Sequence, residues 1–80
     1  MGKYDPLARH LRRQGSREVT MSFFEVERVL GDMLPKSAGR PEWWANETDP
    51  ASRHVQCRAW LSVGYRADLL SGDRVRFVKT

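Results

Sequence analysis

The chain has few of the residues on which covalent cross-links and metal sites depend. Its 80 residues include one cysteine, Cys57, and two histidines, His10 and His54. A single cysteine cannot form an internal disulfide, and this usage is typical of a reducing cytosol rather than of a disulfide-rich secreted protein. One cysteine and two distant histidines do not supply a four-ligand metal cluster. We therefore expect a cytoplasmic protein without a metal ion or other cofactor.

Long hydrophobic runs are also missing. The longest strictly apolar stretch is far shorter than the roughly 18 residues that a membrane-spanning helix needs, and residues 1–6 lead into no apolar segment of the secretory type. The composition, 40% hydrophobic and 30% charged, is that of a folded globular protein. No repeat, low-complexity tract or long linker divides the chain. We predict one domain over residues 1–80, with no membrane partner.

Positive charge is in excess. Lysine and arginine number 14 against 10 acidic residues, which gives a net charge of +4, and eleven of the bases are arginine. The planar guanidinium group suits phosphates and guanine edges. A GC-rich genome also raises arginine content, and a net charge of +4 is ordinary for solubility. The basicity is therefore consistent with a nucleic-acid partner but does not require one.

Capping signals predict the helices. Asp5 before a proline is typical of an N-cap, and Gly15 is a natural stop for the first helix. Ser22 and Glu25 have the spacing of a capping box, which opens the second helix. The last helix is apolar around most of its circumference, so we expect it to be the centre of the core with Trp60 buried. The predicted helices are residues 6–14 after the Asp5 cap, 23–30 and about 50–63.

Alternating apolar residues predict three strands, at residues 17–21, 65–70 and 74–79. The last two flank a tight turn and form a hairpin, with Arg74 and Arg76 on its outward face. The predicted fold class is α+β, with three to four helices packed on a small antiparallel sheet formed by the early strand and the C-terminal hairpin. This is the element order of a winged helix-turn-helix domain, although a generic small α+β fold has a similar order.

Four motifs carry a resemblance to a known family. They are Leu34-Pro35-x-Ser37-Ala38, Trp43-Trp44-x-Asn46, Ala59-Trp60 and Gly64-Tyr65. With this pattern the chain resembles a family of small bacterial and phage domains of unknown function, over nearly its whole length from residue 4 to residue 78. The resemblance implies a bacterial or phage origin. It implies no established activity, so no catalytic residue is carried over from it.

The one arrangement that suggests catalysis is weak. His54 and Cys57 are three residues apart on a predicted helix, a spacing that can pair a thiol with a base. A catalytic thiol must be partly exposed in an electropositive setting, whereas Cys57 falls among apolar positions. We therefore predict a buried structural cysteine and no enzymatic activity.

The tryptophan pair is the most unusual feature. Adjacent helical residues point about 100° apart, so we expect one of Trp43 and Trp44 in the core and the other partly exposed. An exposed Trp44 is able to stack on a base, and Asn46 has the groups that read adenine. In the alternative interpretation both tryptophans are core residues and Asn46 closes a turn.

Two functions follow from these patterns. The first is a nucleic-acid-binding domain, with duplex DNA as the partner. Its candidate contacts are Lys36, Ser37, Arg40, Trp44, Asn46, Arg53, Arg74 and Arg76. The alternative is a protein-interaction module or inhibitor that docks its partner on an exposed tryptophan patch. The sequence does not determine the oligomeric state, the target or the pathway.

Overall fold

The computed structural model describes residues 2–46, 56–71 and 73–80, and within them the chain forms three helices and a three-stranded antiparallel sheet. The helices are α1 (Asp5–Gln14), α2 (Phe23–Leu30) and α3 (Cys57–Leu61). The strands are β1 (Glu18–Ser22), β2 (Tyr65–Ser71) and β3 (Arg74–Lys79). Two 3₁₀ helices, Lys36–Gly39 and Pro41–Trp44, lie between α2 and α3. The predicted α+β class is confirmed.

The first helix begins one residue earlier than the predicted cap implies. Tyr4 is the N-cap, and its carbonyl accepts hydrogen bonds from the N–H groups of Leu7 and Ala8. Asp5 is the first helical residue, and its carboxylate accepts a hydrogen bond of 2.9 Å from the Gly2 N–H. The prediction that Asp5 caps α1 is therefore wrong, because its carboxylate binds the preceding turn instead. Gly15, with a φ of 62°, ends the helix as expected.

The second helix has the predicted limits because both of its ends are set locally. The Ser22 hydroxyl accepts a hydrogen bond from the Glu25 N–H at 3.1 Å, and the Glu25 carboxylate accepts one from the Ser22 N–H at 3.0 Å. This reciprocal pair satisfies two of the N–H groups that a helix start leaves unpaired. At the other end Gly31 adopts a φ of 73°, a left-handed conformation that glycine reaches without strain.

The sheet joins the early strand to the C-terminal hairpin, as predicted. The strand order is β1-β3-β2, with β3 antiparallel to both neighbours. Val75 and Phe77 of β3 are fully buried, whereas Arg74 and Arg76 project from the opposite face. The helices and the 3₁₀ segment pack on the Val75 side. The register of β2 shifts between Leu69 and Ser71, next to the hairpin turn.

An aromatic cluster forms the centre of the core. Trp44 stacks on Trp60 at 5.5 Å between ring centroids and meets Phe77 edge to face at 6.2 Å. Trp43 contacts Trp44 at 4.6 Å and reaches Tyr4 on the other side. The exposed fractions of Trp43 and Trp44 are 8% and 2%. The prediction that one tryptophan would be partly exposed is therefore wrong. Trp43 is covered by Tyr4 and Trp44, while Trp44 is surrounded by rings from α2, α3 and β3.

The last predicted helix is described only in its second half. Within α3, Trp60 is fully buried, in agreement with the predicted core position, and Cys57 is 1% exposed. Residues 50–55 of that helix, including Arg53 and His54, lie outside the described residues. In place of a short helix-turn-helix linker, residues 31–46 after α2 carry the two 3₁₀ helices. None of the described helices is long and apolar enough to cross a lipid bilayer.

Candidate nucleic-acid interface

Trp44 has no surface available for a base. Its side chain is 2% exposed and contacts the rings of Phe23, Trp60 and Phe77. Its indole N–H donates a buried hydrogen bond of 2.8 Å to the carbonyl of Ala38. Stacking on a nucleic-acid base requires an exposed ring. The structure therefore removes Trp44 from the predicted contacts and makes it a core residue.

The side chain of Asn46 also forms its hydrogen bonds with other residues of the protein. Its side-chain oxygen accepts hydrogen bonds from the indole N–H of Trp60 at 2.9 Å and from the Ala67 N–H at 2.8 Å. Its side-chain N–H donates to the Ala67 carbonyl at 3.0 Å. The carboxamide thus pairs with the free edge of β2 in the way that a neighbouring strand would. These hydrogen bonds leave the carboxamide without groups for reading a base, and the turn before Asp49 that the alternative interpretation assigned to Asn46 lies outside the described residues.

The two hairpin arginines face outward as predicted, but Arg76 is already surrounded by acidic groups. Its guanidinium lies 3.9 Å from the Glu18 carboxylate of β1 and 3.8 Å from the Asp68 carboxylate of β2. Three charges on adjacent strands therefore give a local net charge of −1. Arg74 is more exposed, and its positive charge helps to lower the pKa of Glu25, after the larger effect of the hydrogen bonds from Ser22. On the outward face of the hairpin Arg76 is therefore compensated by acidic groups, whereas Arg66 and Arg74 are exposed there without an ion pair in the described residues.

The remaining predicted contacts lie elsewhere. Lys36, Ser37 and Arg40 are exposed on the first 3₁₀ helix and at its end. That helix is held on the inner side of the sheet by the buried Ala38. The hairpin arginines project from the outer side, so the structure does not bring the two groups into one patch. Arg53 lies outside the described residues.

Acidic side chains are almost all engaged in local structure. In residues 2–46, 56–71 and 73–80, each of them except Glu42 accepts a hydrogen bond or forms an ion pair: Asp5, Glu18, Glu25, Glu27, Asp32, Asp68 and Asp73. Most of these bonds come from backbone N–H groups at helix starts and turns. The acidic residues therefore mostly complete local structure, and their ion pairs involve only Lys3 and Arg76 among the described bases.

Basic side chains show the opposite pattern. Nine exposed bases form neither an ion pair nor a cation–π contact within the described part of the chain: Arg9, Arg12, Arg13, Arg17, Lys36, Arg40, Arg66, Arg74 and Lys79. Four of them belong to α1 and the short link that follows it. The sequence interpretation did not include these four among its candidate contacts.

The chain matches the model of one protein family, described as a domain of unknown function (DUF7662), over residues 4–80. It therefore belongs to that family, in agreement with the resemblance found in the sequence. No curated protein and no solved structure matches the chain. By its fold and charge the protein is a small basic α+β domain. By its family membership it is a DUF7662 domain.

Proposed function

We propose that this domain binds nucleic acid, with duplex DNA as the partner. The observation that carries the proposal is the unequal use of charge: acidic groups are bound to backbone N–H groups or to Arg76 and Lys3, while most exposed bases have no acidic partner in the described residues. Such bases are free to contact phosphates without first breaking an internal ion pair. Contacts of this kind supply most of the affinity in sequence-independent binding.

The fold supports the same proposal. The element order, and a sheet in which the early strand pairs with the second strand of a C-terminal hairpin, are those of winged helix-turn-helix domains. In such domains a helix enters the major groove. The stretch of residues 31–46, with its two 3₁₀ helices, is a difference from the short turn of that architecture. Trp44 is buried, and the polar groups of the Asn46 side chain are used in internal hydrogen bonds. The contacts we propose are therefore to the phosphate backbone rather than to bases.

Protein interaction is the second candidate, but it rests on a different surface from the predicted one. Both members of the tryptophan pair are buried, so they offer no patch. The large hydrophobic side chains exposed in the described residues are Phe24, Met33 and Leu70, at 66%, 76% and 46%. Phe24 lies under the guanidinium of Arg28, whose charge is 5.9 Å from the ring centre. An exposed aromatic ring beside an arginine is typical of protein-interface contacts.

A salt titration tests the proposal. A fluorescently labelled 20-base-pair duplex of random sequence is titrated with the protein, and anisotropy is measured at several salt concentrations. For roughly four to six phosphate contacts, affinity should fall by about 10²–10³ between 50 and 200 mM salt. An apolar protein interface lacks this steep dependence. Absence of binding at tens of micromolar protein in low salt would overturn the proposal.

A further inference from the structure

The outward face of α1 concentrates positive charge. Leu7 and Leu11, one turn apart, are 1% and 0% exposed and hold the inner face of the helix against the core. Arg9, Arg12 and Arg13 are exposed and lie away from that face. Their spacings of three and four residues make them neighbours on the helix surface. One helix face therefore carries three adjacent guanidinium groups.

More positive charge lies just beyond the end of this helix. Arg17 follows the Gly15 stop and is exposed. Its carbonyl accepts a hydrogen bond of 2.7 Å from the N–H of Lys79, which brings the exposed end of β3 next to it. The acidic residue beside Arg17 is Glu18, and its carboxylate lies against Arg76 instead. The positive charge of this end of the molecule is thus not compensated within the described residues.

The attraction of positive charge to a helix C-terminus does not explain the positions of all four arginines of α1 and the link after it. A helix C-terminus favours cations only within its last turn. That effect explains Arg12 and Arg13, which are in the last turn of α1. It does not explain Arg9, which is one turn earlier, or Arg17, which is beyond the helix. Like charges at these spacings repel each other, so this arrangement is unfavourable for the isolated domain. An anionic partner removes that repulsion.

Duplex DNA fits this surface better than other anionic partners. The rise of an α-helix places Arg9 and Arg13 about 6 Å apart along its axis, and duplex DNA carries one negative charge per about 1.7 Å. A membrane surface requires an apolar helix face to insert, but Leu7 and Leu11 are buried. Single strands are bound largely by stacking on exposed aromatic rings, and α1 carries no phenylalanine, tyrosine or tryptophan. Nor does this face offer the apolar centre of a protein interface.

We propose that the outward face of α1 (Arg9, Arg12 and Arg13), together with Arg17, is the surface through which the domain contacts the phosphate backbone of duplex DNA. This inference rests on the proposed function and names its site, which differs from the hairpin and the 3₁₀ segment indicated by the sequence.

Two triple variants with the same net charge test it. The first, Arg9→Gln, Arg12→Gln and Arg13→Gln, removes the α1 face. The second, Lys3→Gln, Arg28→Gln and Arg76→Gln, removes three charges from other parts of the surface that already lie against an acidic group or an aromatic ring. Glutamine is a good helix former, so α1 should persist in the first variant, and circular dichroism checks that both variants are folded. Binding of the random-sequence 20-base-pair duplex is measured from 50 to 200 mM salt.

The α1 variant should bind about tenfold or more weakly at 50 mM salt, with a salt slope flatter by about two to three units. The second variant should stay within about threefold of the parent, since it loses no phosphate contact. Equal losses in both variants would overturn the inference, as would an α1 variant that binds like the parent. A further variant with lysine at the same three α1 positions should retain binding, because phosphate contacts depend on the charge. If the unaltered protein does not bind the duplex at all, the proposed function itself fails.

Discussion

Asn46 joins three parts of the molecule through one side chain. It follows the second 3₁₀ helix, accepts a hydrogen bond from the Trp60 indole of α3, and forms two hydrogen bonds with Ala67 on β2. Without it, the indole N–H of a fully buried ring and the backbone groups of an edge strand would lack partners. A buried polar group without a partner costs more free energy than the bond itself contributes. Asn46 is thus a residue on which the folded state depends.

Asn46→Ala should lower the free energy of unfolding by about 1–3 kcal/mol, because the Trp60 N–H and the Ala67 N–H lose their acceptor. Urea denaturation followed by tryptophan fluorescence measures the change. The matched control is Gln14→Ala, which removes an exposed amide whose hydrogen bond is to His10 and should change stability by less than about 0.5 kcal/mol. A variant at Asn46 as stable as this control would show that the three hydrogen bonds contribute little.

At the scale of single elements, α2 depends most clearly on its own ends. The capping box of Ser22 and Glu25 begins the helix, and the N–H of Phe23 donates a hydrogen bond of 2.8 Å to the Asp73 carbonyl in the hairpin turn. The start of α2 is thus tied to the hairpin as well as to its own cap. The hydrogen bonds that the Glu25 carboxylate accepts hold its pKa below the ordinary value, and the charge of Arg74 adds to this effect.

A carboxylate with a lowered pKa in the folded state stabilises the protein above its ordinary pKa, and this contribution is lost as the pH falls through the folded-state pKa. Urea unfolding at a series of pH values between 7 and 3 should therefore show a loss of stability towards low pH that is smaller in Glu25→Gln. Glu42→Gln is the control, since Glu42 is exposed and has no hydrogen bond or ion pair in the described residues. The same pH dependence in Glu25→Gln and in the parent would contradict the proposed contribution of the cap.

For the molecule as a whole, the core is built around aromatic rings from segments far apart in sequence. Trp44, Trp60 and Phe77 contact one another, and Tyr65 reaches across to donate a hydrogen bond to the Ser16 carbonyl. A domain of this size buries a limited fraction of its surface, so it depends strongly on each large side chain. Cys57 lies within this core at 1% exposure. Its thiol should become accessible only when the packing of the core opens.

Native protein should therefore react slowly with a thiol reagent, and protein in denaturant should react rapidly. Stopped-flow labelling with and without urea measures the two rates, and in a domain that unfolds in one step the native rate should follow the global unfolding equilibrium. The parent contains no other cysteine, so the signal is specific to this site. Rapid labelling of the native protein would contradict the buried position of Cys57 and would favour the alternative that its thiol is reactive.

The parts of the structure that the sequence determined are those set by neighbouring residues. The limits of α2 follow from Ser22, Glu25 and Gly31, and the inward and outward faces of β3 follow from strict alternation around Val75. Such signals act over a few residues and do not depend on what packs against them. The resemblance to a small family of unknown function was likewise found along the chain, and membership of such a family is confirmed by the match over residues 4–80.

The burial of the tryptophan pair, the partners of Asn46 and the ion pairs of Arg76 depend on contacts between distant segments, so only the tertiary structure determines them. Both Trp43 and Trp44 are buried because aromatic rings from distant parts of the chain, such as Tyr4 and Phe77, pack against them. Asn46 finds its partners 14 and 21 residues away, and no local pattern indicates them. The same holds for charge: Glu18 and Asp68 meet Arg76 only because β1, β3 and β2 are neighbours in the sheet. Pairing of this kind depends on strand order, so the sequence alone did not distinguish the arginine that is neutralised from those of α1 that are not.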